Sequence, residues 1–503
     1  GVRVGNYKFD NTNFFDVSLG FFGSGDDEES FKQRQVPVNM DYNSFRRELW
    51  LSTDAAYKQS AEILSKKEAT IKNRLRKDTT DDFLKITPEK KYDTIPIPSI
   101  DLKKYENLCR DISAIFNKYP EISISTVGIE YLPKRVYYVN SEGMEYIKTE
   151  LYIGLEVVAA TQAKDGMPLA NIYSCYGLTP SDLPTADSLQ RAVEFAAKKL
   201  VEELSAKQLE ESYSGPVLFE GQAAAALFGQ VFAPNLVAQR AAMTESGVQE
   251  NDRYGAFQSK IGGRVLPEFM SVNAYPTKLK YNGVPLAGYY KIDDDGILAK
   301  DILLVENGYL KNLLSSRVPT RRVRQTNGHR RGGAPMISNI VMNSDAEHSK
   351  SRKELTEKML KLCMDRELPF GIIVRKAMDL NIMYTTLYRL SYGSYPVGSY
   401  SGKIALLEAY KVYPDGREEL IRGIEAAGFT AQSFKDILFT GKSEYVNNYL
   451  APAVVSPFVS GGSQYVASSV SVPDLLFEDG EISIIESDFP KPPILSNPQM
   501  EMK

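Results

Sequence analysis

Residues 281–310, YNGVPLAGYYKIDDDGILAKDILLVENGYL, contain three Asn-Gly or Asp-Gly pairs between short apolar runs. Both dipeptides favour the positive φ angles of two-residue hairpin turns. The same signal recurs at Asp415-Gly416 and Asp479-Gly480. These turns predict a mainly antiparallel β-domain in the C-terminal part of the chain, interrupted by one helix at about 351–365.

The residues before 213 show another pattern. Runs with a period of two between 122 and 163 predict strands, with turns at 140–143 and 164–166. A helix follows Pro184-Thr185, and its apolar stripe has i, i+3, i+4 spacing. The stripe comprises Leu189, Ala192, Val193, Ala196, Ala197, Leu200, Val201 and Leu204. The predicted fold class is therefore α+β: an N-terminal α/β domain with a small sheet and a long helix, then an antiparallel β-domain.

Three segments are expected along the chain. Residues 1–100 form a divergent, helix-rich extension with a charged helix at about 42–77, to which we assign no chemistry. Residues 101–212 form the α/β domain, and residues 213–503 form the β-rich domain. The chain begins with Gly1 rather than Met, which suggests a trimmed N-terminus.

Composition excludes several classes of protein. Of the 503 residues, 43% are hydrophobic and 25% are charged, which argues against a chain that is disordered throughout. Lys and Arg total 60 against 64 Asp and Glu, so the chain lacks the basic surplus typical of nucleic-acid binding. No apolar run is long enough to span a membrane. Nucleic acid and membrane are thus not the predicted partners.

Cysteine and histidine are scarce. Cys109, Cys175 and Cys363 lie far apart, which argues against a disulfide framework or a cysteine-built zinc site and favours three small core residues. His329 and His348 are the only histidines, so no H-E-x-x-H motif can be written. His348 is predicted to be a solvated surface residue.

An acid-free basic segment spans residues 317–331. Its candidate peptide-binding residues are Arg317, Arg321, Arg322, Arg324, His329, Arg330 and Arg331. The segment could be a solvated loop or a loop neutralised by acidic neighbours elsewhere in the fold. It could also be a clamp for peptide carboxylates or carbonyls, which the arginine fork suits. Nucleic-acid contact is a third reading, disfavoured because interleaved aromatic residues are lacking.

Several blocks, in order, resemble the TldD/PmbA (TldD/TldE) family, named as modulators of DNA gyrase and regarded as metallopeptidases. The blocks are Val139–Gly143, Gly215–Phe219, Ala223–Phe228, Thr326–Gly328, Arg422–Ile424, Phe434–Ile437 and Val472–Leu476. The resemblance covers about residues 120–485. It implies a soluble, cytoplasmic peptidase scaffold, although the trimmed N-terminus leaves an exported protein open.

The resemblance breaks at the zinc motif. Peptidase-type members carry H-E-x-x-x-H directly after the Ala-rich helix start, and a C-terminal cysteine completes the ligands. In this chain the window reads Gly229-Gln230-Val231-Phe232-Ala233-Pro234, and the cysteine position falls near Val459. Glycine, proline and valine offer no side-chain donor atom, and Gln230 cannot act as a general base. Gly229, Gln230, Pro234 and Val459 are therefore degenerate metal-site positions.

The resemblance is closest to the TldE/PmbA-type member without zinc. It implies no catalytic residues, no metal and no other cofactor in this chain. The expected role is to bind unfolded or extended peptide, or to act in proteolysis or peptide maturation as a dimer with a TldD-like subunit or with itself. One alternative is an active metallopeptidase with relocated carboxylate ligands. Another, less favoured, is a modulator of DNA gyrase or of nucleic acid.

Overall fold

The structure is a computed structural model. It describes residues 1–15, 37–38, 41–73, 80–241, 243–244, 255–379, 382, 403–452, 465–486 and 489. The α-helices in this part of the chain are α1 (Tyr42–Asn73), α2 (Leu102–Ser113), α3 (Ala186–Glu203), α4 (Gln222–Leu227) and α5 (Arg352–Asp365). None of these helices combines the length and the apolar character that a membrane span requires.

The strands before residue 213 are β1 (Phe14–Phe15), β2 (Lys90–Asp93), β3 (Ile124–Tyr131), β4 (Lys134–Val139), β5 (Glu145–Glu150), β6 (Ile153–Gln162) and β7 (Pro168–Gly177). The strands between residue 213 and helix α5 are β8 (Tyr213–Phe219), β9 (Met243–Thr244), β10 (Met270–Ala274), β11 (Lys280–Tyr281), β12 (Val284–Pro285), β13 (Ile302–Glu306), β14 (Tyr309–Leu310), β15 (Arg330–Arg331), β16 (Ala334–Pro335), β17 (Asn339–Ser344) and β18 (Ser349–Lys350). The last strands are β19 (Gly371–Ala377), β20 (Ile404–Val412), β21 (Glu418–Ile421), β22 (Ile424–Ala427), β23 (Ile437–Pro452) and β24 (Tyr465–Ile484).

Two small three-stranded sheets, β3–β6–β7 and β2–β5–β4, precede the large sheet. Helix α3 begins after Thr185, whose side chain accepts a hydrogen bond from a backbone N–H of the first turn. It covers β6 and β7, and its residues Leu189, Val193 and Leu200 share a core with Leu155 of β6. The predicted long helix over a small sheet is confirmed, and the strands of this sheet are antiparallel.

The C-terminal part is built on one twelve-stranded sheet, in which most pairings between neighbours are antiparallel. Strand β24 pairs with β8, β17, β22 and β23 and so holds the sheet together. Strand β8 lies between two cores because its side chains alternate. Val217 and Phe219 pack in the main core with helix α4, whereas Leu218 packs with Leu355 and Met359 of α5. The predicted α+β class is confirmed.

Most of the predicted turns are confirmed. They lie at Asn282-Gly283, Asp295-Gly296, Asn307-Gly308 and Asp415-Gly416, and each of these glycines has a positive φ. The turn predicted at Asp479-Gly480 is wrong, because both residues lie inside β24, at a register shift against β8. A Cβ atom on Gly480 would meet Val217 Cγ2 at 2.7 Å. Close packing, rather than a turn, therefore explains this glycine.

Two smaller predictions need correction. The ring of His348 stacks on that of Phe269, with centroids 4.0 Å apart, so this histidine is half-buried and not a solvated surface residue. Cys363 is buried as expected, but Cys109 and Cys175 are only half-buried. Cys175 lies at the margin of the N-terminal core, and Cys109 lies on α2, a helix in which only Ile112 is buried. All of these thiols are free.

The sheet β3–β6–β7 docks on the large sheet through apolar and polar contacts. Val158 and Ile172 share a small core with Leu407 of β20. Lys376 Nζ of β19 donates to Asn171 Oδ1 of β7 at 2.7 Å. Asn448 Nδ2 of β23 donates to the Tyr176 carbonyl of β7 at 3.0 Å. These bonds tie β7 to two strands that border the candidate site. The segment boundaries at 100 and 212 stay predictions.

Candidate functional site

The window aligned with the family's zinc motif lies at the end of a buried helix. Helix α4 consists mostly of alanine, and each of its residues from Ala223 to Leu227 is buried. It is continued by a π-turn over Phe228–Phe232 and a 3-10 turn over Ala233–Leu236. Pro234 lies in the 3-10 turn, since proline cannot continue the i→i−4 hydrogen bonds of an α-helix. The window is therefore a tight, buried corner.

An aromatic ring occupies the space beside Gly229. A Cβ atom built on Gly229 would lie 3.0 Å from Cζ and 3.1 Å from the hydroxyl oxygen of Tyr449. The Tyr449 hydroxyl donates to the Gly229 carbonyl at 3.2 Å, and the tyrosine is almost fully buried. A side chain at position 229 would therefore be in close contact with this ring and would require it to shift. A packed tyrosine from β23 thus lies beside Gly229, the residue that the resemblance aligns with the family's first zinc ligand.

The remaining window positions do not supply metal donors either. Gln230 Nε2 donates to the carbonyls of Ala226 at 3.3 Å and Met378 at 2.9 Å, so its amide is engaged with the backbone. Pro234 is buried without a donor atom, and Val459 lies outside the described residues. Within the described part of the chain, no group of three His, Cys, Asp or Glu side chains could hold a metal ion. The residues present do not fit the family's zinc ion.

Buried carboxylates lie close to the start of α4, where relocated ligands would be sought. Glu220 Oε2 accepts from Arg375 Nε at 3.0 Å. Asp474 Oδ1 accepts from the Gly221 N–H at 2.7 Å, and its Oδ2 lies 3.3 Å from Arg352 Nε. Both carboxylates are thus neutralised by arginines or by backbone. Their arrangement is that of a buried ion-pair cluster.

Arg317, the first arginine of the basic segment, is an internal anchor. Its side chain is 2% exposed. Nη1 and Nη2 donate to the two carboxylate oxygens of Glu142 at 2.7 and 2.8 Å, while Nε and Nη2 also donate to the Leu84 carbonyl. These bonds lower the pKa of Glu142 to about 2. Arg317 therefore joins the N-terminal extension and the β4–β5 turn to the large domain.

The last two arginines of the segment are also bonded within the chain. Arg330 Nη1 donates to Asp295 Oδ1 at 2.7 Å, and this carboxylate raises the pKa of the guanidinium. Arg331 donates to the Ile337 and Ala467 carbonyls at 3.0 and 2.8 Å. The three bonded arginines, Arg317 included, do not form a free clamp.

His329 lies in the same buried layer. Its Nδ1 is 3.0 Å from the Asn327 carbonyl oxygen and so donates to it. Its Nε2 is buried without a hydrogen-bond partner among the described residues. Burial lowers the pKa of His329 to about 3, so the imidazole is neutral at ordinary pH. The structure offers no surface of His329 to a peptide in solution.

Arg321, Arg322 and Arg324 differ from the others because their side chains are exposed. They lie between two buried anchors, Arg317 and the His329–Arg331 stretch, which hold the segment in place. Of the seven predicted peptide-binding residues, only these three are both charged and exposed. Peptide binding stays a prediction for them.

Sequence reasoning missed the partners of the buried arginines. In the sequence, Glu142 belongs to a turn motif and Asp295 to a hairpin turn, and neither motif indicates an arginine partner. The lack of acids in the basic segment could have indicated such partners, because any guanidinium group that is buried needs a carboxylate from another part of the chain. Nothing in the sequence pointed to Tyr449 as the residue beside Gly229.

Comparisons with known proteins place the chain in a family. Residues 212–482 match the model described as the PmbA/TldA metallopeptidase C-terminal domain. This match covers more than half of the chain. No curated protein matches the chain.

Three solved structures share the fold at low sequence identity. A proposed modulator of a DNA gyrase from Thermotoga maritima is 15% identical, with a TM-score of 0.54 over 83% of this chain and 82% of that one. A proposed modulator of DNA gyrase from Bacteroides thetaiotaomicron is 14% identical, with a TM-score of 0.53 over 87% and 83%. TldE from Thermococcus kodakarensis is 14% identical, with a TM-score of 0.52 over 87% and 85%.

Proposed function

The chain belongs to the PmbA/TldD metallopeptidase family, and on that premise we propose that it is a member without a zinc site. It would bind extended peptide and serve as a partner subunit in proteolysis or peptide maturation, without hydrolysing peptides alone. One observation carries this proposal: Tyr449 fills the space beside Gly229, where the family's first zinc ligand would extend. Catalytic zinc sites need three protein donors around an open position. This window offers only the engaged amide of Gln230.

Metal content and hydrolysis test the loss of the site. The chain is purified without added metal, incubated with zinc, desalted and analysed by mass spectrometry for bound metal. Unfolded peptides are then assayed for cleavage, with and without a chelator. We expect less than stoichiometric zinc and no chelator-sensitive cleavage. A zinc-bearing member of the family, prepared in parallel, is the positive control.

Two outcomes would overturn this part of the proposal. One is stoichiometric zinc that is lost on Gln230→Ala, because it would make the window a metal site after all. The other is cleavage by the chain alone that a chelator abolishes. Zinc that survives Gln230→Ala would instead favour relocated carboxylate ligands.

The exposed arginines support the peptide-binding part of the proposal. Arg321, Arg322 and Arg324 present three guanidinium groups on a segment anchored at both ends. Such groups bind carboxylates and backbone carbonyls through several donors at once. Fluorescence anisotropy with a labelled, unfolded acidic peptide measures this binding. We expect about a tenfold loss of affinity when all three are changed to alanine.

The control for charge alone is Arg46→Ala/Arg47→Ala on the exposed side of α1. These changes should leave peptide affinity unaltered, since that helix belongs to the N-terminal extension. If the Arg321/Arg322/Arg324 variant binds the peptide as tightly as the wild type, the basic segment is not the peptide-binding surface. Duplex DNA binding with a steep salt dependence, lost in the same variant, would favour a nucleic-acid role.

A partner subunit is the third element of the proposal. A scaffold that has lost its metal ligands can still complete a chamber or a substrate groove formed with another chain. Light scattering of the chain, alone and mixed with a metal-bearing TldD-like chain, tests this. We expect a dimer that buries on the order of 1,600 Å². A monomer under both conditions contradicts the partner role.

A further inference from the structure

The sheet β2–β5–β4 leaves an apolar row uncovered on one face. In its register Tyr92 pairs with Ile147, and Ile147 pairs with Tyr137, so the three side chains lie in one row. Tyr92 and Tyr137 are 57% and 72% exposed. Val139, in the next row, is 76% exposed. This row and Val139 are called the outer row below.

The opposite face of the same sheet is packed. Met144 and Tyr146 are buried there in a cluster with Ile292 of the large domain, and Tyr138 stacks on Tyr146. One face of the sheet is therefore packed against the large domain. The outer row lies on the other face, and its apolar side chains are not covered by other residues in the described part of the chain. Exposed apolar groups of this size on a sheet are typical of an interaction site.

Strand β4 is also an edge strand with free backbone groups. The Asn140 N–H donates to the Met144 carbonyl, whereas the Met144 N–H donates to Asn140 Oδ1, so the pair 140–144 is joined by one backbone hydrogen bond. Because such pairs alternate along an antiparallel ladder, the backbone groups of Arg135, Tyr137 and Val139 point away from β5. In the described part of the chain, β4 pairs only with β5. An open edge of this kind is a template for another strand.

We propose that β4 of a second copy of this chain pairs antiparallel with this edge, about a two-fold axis at Tyr137. The outward backbone groups of the two strands then bond to each other, and Tyr137 lies directly opposite its own counterpart. The outer rows of the two copies join into one continuous apolar row, with the two Tyr137 side chains at its centre and Ile147 and Tyr92 on each side. A two-fold interface uses the same patch on both chains, as this arrangement does.

Charge selects the antiparallel direction. A parallel pairing would place the basic start of β4, Lys134 and Arg135, beside the same residues of the second copy, which is destabilising. The antiparallel pairing moves the two Arg135 side chains to opposite ends. Each then lies opposite Val139 of the second copy, next to the row that contains Glu145. The Arg135 guanidinium itself stays bonded within its own chain, where Nη2 donates to the Ile95 carbonyl at 2.7 Å. The antiparallel direction is therefore favoured because it separates the two basic strand starts.

This inference deepens the proposed partner role, because it names a second copy as the partner and β4 as the contact. It does not depend on the absence of zinc. Failure of this inference can be told apart from failure of the partner role. A dimer whose affinity is unchanged by substitutions at Tyr137 would leave the partner role intact and exclude only the β4 surface.

The test uses two opposite charges at the proposed axis. In Tyr137→Lys two ammonium groups would face each other across the axis, and in Tyr137→Glu two carboxylates would do so, while the other pairing contacts stay. Light scattering and sedimentation should show dimers for the wild type and at least about a tenfold weaker dimer for each variant. An equal mixture of the two variants should recover the dimer as a heterodimer, because the charges are then opposite.

Ile124→Lys is the matched control. Ile124 is 49% exposed at the start of the edge strand β3 in the other small sheet, so this change adds the same charge to a comparable edge. It should leave the dimer unchanged. Circular dichroism confirms that each variant is folded, as expected for changes at exposed side chains.

Three results would overturn the inference. One is a wild-type monomer at all accessible concentrations, and another is a dimer that persists in both Tyr137 variants. The third is a mixture of the two variants that recovers nothing although each alone is monomeric. A wild-type monomer that forms a complex only with a TldD-like chain, sensitive to Tyr137→Lys, would assign the edge to that chain instead.

Discussion

The window at 229–234 and the basic segment at 317–331 are both sequence anomalies that suggest chemistry, yet the fold treats them differently. The window offers no metal donor at Gly229 or Pro234, and a single ring, Tyr449, packs beside Gly229. The segment has kept its charges, and half of them are bonded to carboxylates and carbonyls inside the molecule. The other three arginines remain exposed.

The difference follows from what each side chain requires when it is buried. A glycine has no side chain that needs a hydrogen-bond partner, so a neighbouring aromatic ring fills the space beside it by ordinary close packing. A buried guanidinium demands acceptors for its donors and a compensating charge. At the window the neighbouring residues only fill space, whereas in the basic segment the buried arginines form ion pairs with acids that are distant in sequence. Perturbing the two regions should have effects of different size and kind.

The largest effect is expected for Arg317→Ala. The change removes the cation that both Glu142 oxygens contact and leaves Glu142 only the neutral donors Tyr7 and Asn140. The Leu84 carbonyl loses the same donor. Breaking a buried pair from one side costs about 3–5 kcal/mol in the free energy of unfolding. Urea unfolding measures it, with the exposed Arg321→Ala as control at about 0.5 kcal/mol or less. Similar values for the two variants would contradict the anchoring role.

The second effect is a pH dependence from His329. Its folded pKa is lowered to about 3, below its unfolded value of 6.5, so its contribution is complete above pH 6.5 and is lost as pH falls. Unfolding free energy should drop by up to about 1.4 kcal/mol per pH unit between about pH 6 and 4.5. In His329→Gln this slope should flatten, measured by urea unfolding at several pH values. An unchanged slope would show that other groups cause it.

Glu142 contributes to the pH dependence only below about pH 4.5, so the slope above that pH reports His329 without it. Its pKa is about 2 in the fold against an ordinary value of 4.5. A depressed carboxyl pKa stabilises the fold above about pH 4.5 and loses that contribution as pH falls toward 2. Glu142→Gln should therefore remove part of the acid sensitivity below pH 4.5 and none of the slope above it.

A smaller effect is expected for Gly229→Ala. The new methyl group would meet the Tyr449 ring at 3.0 Å, and overpacking of this kind costs about 1–3 kcal/mol. Gly128→Ala on β3 is the control, since nothing lies within 4 Å of a Cβ there. In a Tyr449→Leu background the cost at Gly229 should fall, which a double-mutant cycle measures. Additive effects would mean that the ring does not fill that space.

The smallest effect on stability is expected for the exposed half of the basic segment. Changing Arg321, Arg322 and Arg324 together to alanine removes charges that face solvent. Thermal and urea unfolding should shift by no more than about 0.5 kcal/mol per site. A large loss would mean that these arginines also anchor the segment, and the contrast with Arg317 would disappear.

Local patterns allowed much of the fold to be predicted. The i, i+3, i+4 stripe that contains Leu189, Val193 and Leu200 was enough to identify α3, because burial on one face needs that periodicity. The turns at Asn282-Gly283 and Asn307-Gly308 followed from residues that tolerate positive φ. At Asp479-Gly480 the same signal failed, because β24 continues past it to pair with β8 and β22. Such pairing partners are not visible locally.

The candidate site was predicted less completely. The lack of side-chain donors at Gly229 and Pro234 could be predicted from residue identity alone, since no conformation gives these residues a side-chain ligand atom. That Arg317, Arg330 and Arg331 are bonded inside the molecule could not be read. Their separation from Arg321, Arg322 and Arg324 depends on which side of a folded loop each residue faces.

By itself, the sequence determined the chemistry that each position can offer: an acid-free run of arginines, two histidines, and a window without metal donors. Only the tertiary structure decided which of these groups meet. Arg317 and Glu142 are 175 residues apart, and Tyr449 and Gly229 are 220 apart, yet each pair is in direct contact. Residue type sets the hydrogen-bonding capacity and volume of a side chain locally. Its partners are set by the packing of the whole chain, because burial requires that distant segments satisfy the same polar groups and fill the same space.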